Sequence, residues 1–153
     1  GGTKLYVASQ SYVSALDNSG NPFQNGDFGN LHVLQISTLA PLKVLGLGFS
    51  QLENFALAGQ YVYVTAFDGH LYPIDTVTDT LATPSPLQDG QSWGIAVLNN
   101  GNLVVGNQAG FLRKIRTGKT PAGDALDGTI QLPPGAFPYG ITTVPSQKGG
   151  GKP

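Results

Sequence analysis

Residues 61 to 80 read YVYVTAFDGHLYPIDTVTDT, two short runs of β-branched and aromatic residues on either side of Asp68-Gly69. Val, Tyr, Thr and Ile fit a pleated, half-buried surface, and an Asp-Gly pair supplies the positive φ that a tight hairpin needs. The stretch predicts two antiparallel strands joined by a turn. The pattern returns downstream: Gly69, Leu71, Ile74 and Thr76 are matched by Gly110, Leu112, Ile115 and Thr117, and YVYVT at 61–65 is matched by LVVG at 103–106. The separations Val64 to Val105 and Ile74 to Ile115 are both 41 residues.

A third copy begins with LYVA at 5–8. Its second strand is placed on Val33, Ile36 and Thr38, which keeps the apolar spacing but leaves Gly29 displaced. That placement also sets His32 and His70 at equivalent positions. Naming these strands b and c, strand d falls on Leu42–Leu45, Leu81–Thr83 and Thr129–Leu132, and strand a on Asn54–Leu57, Gly94–Leu98 and Gly140–Val144. The order along the chain is b-c-d, a-b-c-d, a-b-c-d, a. The fold class is therefore all-β, with about three four-stranded antiparallel units in circularly permuted order. Blade-like unit one covers about 3–48, unit two about 52–84 and unit three about 92–133, with a closing strand at about 138–145. These make one domain, 1–146, followed by a Gly-rich tail, 147–153.

An insertion rich in Asn, Gly and Ser, Ser9 to Gly29, separates strands b and c of the first unit. YVSALD at 12–17 reads as a strand inside it, which makes the insertion a hairpin. Asn25-Gly26, Asp68-Gly69 and Asn100-Gly101 are assigned to hairpin turns. Asp17, Ser19 and Asn21 have the start of a calcium-loop spacing but lack the closing Glu, so they are read as a turn. No segment carries the apolar spacing of a capped helix.

A period of about 40–45 residues with four strands is that of a propeller blade. Tyr61 to Thr80 resembles the YVTN family of β-propeller repeats. Trp93 to Arg116 (WGIAVLNNGNLVVGNQAGFLRKIR) is similar to the NHL and gluconolactonase-like propellers. Propellers close with about four to eight blades, so three repeats imply half of a six-bladed ring. The expected partner is the chain itself, by strand exchange or ring closure between copies, or the missing part of a longer propeller. Leu5, Tyr6, Val7, Ile141 and Val144 are the interface residues this implies.

Composition narrows the functions. Charged residues make up 11% of the chain, against about a quarter in ordinary domains. The net charge of -1 provides no field to draw the chain onto nucleic acid. No apolar run reaches the roughly 18 residues of a membrane-spanning helix. The sequence has no Cys, and so neither a thiolate metal site nor a cysteine nucleophile. Low charge without cysteine suits an extracellular or cell-surface protein.

No Ser-His-Asp arrangement is legible, so no catalytic residue is assigned. Trp93, Tyr139 and Phe137 are the candidate ligand-binding residues, flat apolar surfaces with polar handles at the inner-strand entrances. Glu53, the only glutamate, and Asn54 precede an inner strand, where the lactonase-like resemblance implies calcium ligands. Aligned positions in the other units are Trp93 and Tyr139, which supply no carboxylate. Arg113, Lys114, Arg116 and Lys119 are read as a solvated charged strand face. The functional expectation is a non-catalytic extracellular binding or self-assembly module without a cofactor, associating through its open ends. The alternatives are a calcium-dependent lactonase-like enzyme and the subunit of an extracellular filament.

Overall fold

A computed structural model describes residues 3–16, 22–47, 51–82 and 91–143. Among the described residues eleven strands form three antiparallel meanders. The first sheet is β1 (Lys4–Leu16), β2 (Pro22–Gln35) and β3 (Pro41–Gly46). The second is β4 (Leu52–Ala58), β5 (Tyr61–Ala66), β6 (Leu71–Asp75) and β7 (Thr80–Leu81). The third is β8 (Ser92–Val97), β9 (Leu103–Asn107), β10 (Phe111–Arg116) and β11 (Ala125–Gln131). The described residues hold one helical turn, a 3-10 turn at Pro121–Gly123. Each sheet is a blade with its strands in sequence order, and among the described residues blade one has strands b, c and d without an inner strand a.

The blades stack face to face, which explains the burial along strand b. Successive strand residues point to opposite faces. In β5 the residues Val62, Val64 and Ala66 enter a core with Leu31, Leu47, Leu52 and Ile74, between blades one and two. Tyr63, on the other face, enters a second core with Leu71, Ile95, Leu103, Val105 and Ile115, between blades two and three. Blade two is covered on both sides, so every residue from Val62 to Ala66 is buried.

The first blade corrects two alignments. In β2 it is Leu34 that pairs with Leu5, as Ile74 pairs with Val62 and Ile115 with Leu103. Ile36 lies beyond the strand, its N–H donating to Thr3 O as Thr76 N–H donates to Gln60 O. Gly29, Leu31 and Leu34 therefore keep the offsets of Gly69, Leu71 and Ile74, and the glycine is not displaced. His32 then corresponds to Tyr72, and His70 to Asn30.

The expected hairpin within the insertion is present. β1 and β2 continue past the blade and stay paired out to Leu16 opposite Pro22. Asn25-Gly26 lies inside β2 beside the register shift and does not make the turn, whereas Gly69 and Gly101 do take the left-handed backbone, each at φ 84°. Asp17, Ser19 and Asn21 lie outside the described residues.

Pro73 is tolerated within β6 because of where its missing donor points. The N and O of a strand residue face the same neighbour, and Pro73 O accepts from Ala82 N at 2.9 Å on the outer side. The proline nitrogen thus faces the two-residue edge strand β7, which is where a sheet tolerates it.

Candidate functional site

The two open ends of the blade stack are the most distinctive surfaces of the chain. Leu5, Val62 and Leu103 are equivalent strand b residues, as are Val7, Val64 and Val105. In blades two and three these are 0–6% exposed, whereas Leu5 is 40% and Val7 38% exposed. The same residue types at the same positions are core twice and surface once. Val44, facing the same open side as its partner His32, is exposed too. Beside them runs an open groove of about 500 Å³, lined by Tyr6, Val7, Ala8 and Ser9 of β1 and by Leu52, Glu53 and Phe55 of β4. The groove occupies the place that strand a of blade one would take.

At the other end, residues 132–143 run across blade three without forming a strand. The expected closing strand at 138–145 is unpaired through 143, and Val144 lies outside the described residues. Its first residues nevertheless sit where an inner strand begins. Inside the chain, inner strands β4 and β8 are tied at Trp93, whose carbonyl accepts from Asn54 Nδ2 at 2.9 Å and from Thr65 Oγ1 at 3.0 Å. Tyr139 stands one repeat further on, its ring meeting that of Trp93 edge-on with centroids 4.0 Å apart. Two glycines admit this segment. A Cβ on Gly94 would lie 2.9 Å from Ile141 Cγ1 and from Pro138 O, and one on Gly106 only 2.7 Å from Pro138 O.

Polar clasps join the blades. Tyr6 Oη donates to Asp79 Oδ1 at 2.7 Å, and Lys4 Nζ pairs with Asp79 Oδ2 at 2.6 Å. Burial pushes the Asp79 carboxyl up, but these two partners outweigh it and hold the group below its ordinary value. Between blades two and three, Tyr63 Oη donates to Asp124 Oδ1 at 3.3 Å, and Gly118 N–H donates to the same oxygen at 3.0 Å. Desolvation first, then the neighbouring carboxylates, raise both tyrosine hydroxyls well above their usual range, so they remain donors.

The three candidate ligand residues are brought together. Phe137 lies 6.4 Å from Tyr139, which contacts Trp93, and both Phe137 and Tyr139 are more than half exposed. The buried Trp93 Nε1 has no hydrogen-bond partner among the described residues.

Glu53 lines the groove, and desolvation raises its carboxyl. Neighbouring Asn54 spends its amide donor on Trp93. Calcium takes six to eight oxygen ligands, commonly from several carboxylates. Among the described residues no three His, Asp or Glu side chains come together, so Glu53 and Asn54 do not by themselves fit a calcium cage. Lys114 pairs with Asp127 Oδ2 at 2.6 Å, placing part of the basic cluster within blade three's own surface. The sequence pattern did not reveal the Tyr–Asp clasps, because Asp79 and Asp124 sit at different distances from their strands.

No family model matches the chain, and no curated protein matches it. Solved structures do. The chain is similar to Myxococcus xanthus glutaminyl cyclase, at 24% identity and a TM-score of 0.52 over 72% of this chain and 48% of that one. It is also similar to the WD40 β-propeller domain of Doa1, at 16% identity and a TM-score of 0.56 over 78% and 40% of the two chains. The β-propeller domain of Myceliophteria thermophila Cps50 (Swd1) matches at 13% identity and a TM-score of 0.54 over 69% and 40%. The chain thus spans less than half the length of these structures. The likeness shows the fold, a partial β-propeller. Among the described residues no helix is long and apolar enough to cross a membrane.

Proposed function

We propose that this chain is a non-catalytic extracellular binding or self-assembly module that associates through its open ends. The observation that carries the reading is the contrast within strand b: Leu5 and Val7 are exposed where their counterparts in both other blades are buried. Covering a valine or leucine side chain contributes about 1.5–3 kcal/mol, and an unpaired strand edge also offers its N–H and C=O groups to a partner strand. The low share of charged residues suits an extracellular surface. Trp93, Tyr139 and Phe137 form the ligand-facing patch through their ring faces.

Hydrogen exchange tests this. Amides of Tyr6 and Ala8, which face the open edge and not β2, are expected to become protected as protein concentration rises, and to lose that protection in Val7→Asp. Exchange at these amides that is fast and independent of concentration contradicts association through this edge.

A further inference from the structure

Both blade junctions inside the chain use one device. A tyrosine of strand b reaches an aspartate in the connection between strands c and d of the next blade: Tyr6 to Asp79, and Tyr63 to Asp124. At the open ends the strand b position follows from the ladder, and the position facing it follows from the turn of the Tyr6–Asp79 junction. Val104 pairs with Ala96 and Lys114 as Tyr63 pairs with Ala56 and Pro73. It points away from blade two, because its neighbours Leu103 and Val105 belong to the core between blades two and three. At the opposite end, Leu39 is the counterpart of Asp79. Both have left-handed backbones, φ 56° and 50°, and both N–H groups donate at 2.8 Å to the carbonyl four residues back, Gln35 and Asp75. Leu39 is 63% exposed.

Each open end therefore carries one half of the clasp position, and both halves are apolar. A valine facing an aspartate, or a tyrosine facing a leucine, would leave a polar group without its partner at a cost. Valine facing leucine leaves none. This matched exchange makes the clasp position of blade three complementary to that of blade one of this same sequence, which favours a second copy as the occupant of the groove.

Resting on the reading that the ends associate, we propose that two copies close a six-bladed ring with two-fold symmetry. Residues 139–143 of each enter the groove between β1 and β4 of the other as its inner strand. The register follows from the two complete blades, where Phe55 is opposite Val64 and Ile95 opposite Val105. Ile141 then lies opposite Val7, Thr142 opposite Tyr6 and Thr143 opposite Leu5, while Val104 packs on Leu39. Exposed Ile130 of β11, which shares a face with its partner Leu112, is covered at the same junction. Each chain supplies three blades, so two copies make six, within the range of about four to eight in which propellers close; the same end-to-start junction propagates only if the rotation fails to close.

Native cysteines are absent, so introduced pairs report the register directly. Residues directly opposite in a sheet have Cβ atoms about 4.5–5.5 Å apart, and diagonal neighbours about 7–8 Å. Under mild oxidation Val7→Cys/Ile141→Cys is expected to give a single covalent dimer, and Val7→Cys/Thr143→Cys little. A second measurement keeps the test independent of the cysteines. Leu39→Asp is expected to weaken association about tenfold, and adding Val104→Tyr to restore it to within about threefold. Association that persists while the 7–141 pair stays unlinked and Leu39→Asp has no effect overturns the ring and leaves end association standing. A ladder of ever larger linked species overturns it in favour of a filament. A chain monomeric at every concentration removes the association itself.

Discussion

Tyr6 of β1 donates its hydroxyl hydrogen to Asp79 Oδ1 at 2.7 Å, tying strand b of the first blade to the turn between β6 and β7 of the second, seventy-three residues away. A propeller has no single central core, so contacts of this kind, with the apolar layers beneath them, decide whether the blades hold their angle to one another. Tyr6→Phe keeps the ring and removes the donor. It is expected to lower unfolding stability by about 1 kcal/mol, and Asp79→Ala by about 1–3 kcal/mol because it also strands Lys4. Chemical denaturation at neutral pH measures both.

Acid should loosen the same junction. The folded Asp79 carboxyl titrates below its ordinary value of 3.8, since Lys4 and Tyr6 outweigh the opposing effect of burial. A depressed folded value means that the ionised group stabilises the fold above the ordinary value, and that this contribution is lost as pH falls through 3.8 toward the lower folded value. Thermal melts are expected to show wild type losing stability from about pH 5 downward, with a shallower slope in Asp79→Asn. Equal slopes would mean that the clasp contributes nothing.

Gly94 and Gly106 make room for the segment carrying Pro138, Tyr139 and Ile141. Gly106→Ala places a methyl group 2.7 Å from a backbone carbonyl oxygen, which no side-chain rotation relieves. The segment is expected to lift, at a cost of about 1–3 kcal/mol. Trp93 is the only tryptophan and touches Tyr139, so its fluorescence reports the movement. Emission unchanged in Gly106→Ala would place the segment elsewhere.

Tyr63 is 1% exposed between blades two and three. Tyr63→Phe removes only the bond to Asp124 and is expected to cost about 1 kcal/mol, whereas Tyr63→Ala empties a core site and is expected to cost about 3–5 kcal/mol. Denaturant midpoints separate them. Similar losses for both would assign the stabilisation to the hydroxyl and not to the ring.

Much of this architecture was legible in short strings of residues. YVYVT and LVVG disclosed strand b because blades two and three bury it, whereas the inner strand expected from Tyr139-Gly-Ile against Trp93-Gly-Ile forms no ladder through residue 143. The first blade was misaligned at strand c. Its b–c hairpin extends to Leu16 and Pro22, which hid the fact that Gly29 keeps its five-residue offset from Leu34. The apolar spacing of Val33 and Ile36 fitted equally well until the ladder to Leu5 and Tyr6 decided between them. The clasps were not legible, because hydrogen bonds spanning 61 and 73 positions leave no local pattern. Among the site residues, Trp93, Tyr139 and Phe137 do gather, while Glu53 and Asn54 belong to no group of three His, Asp or Glu side chains among the described residues.

The native mass of the intact 153-residue chain, followed by light scattering across a concentration series, is the most direct test of whether its two ends complete one another. Twice the mass of one chain, falling to a single chain in Val7→Asp, is the result expected. A single-chain mass at every concentration would contradict it.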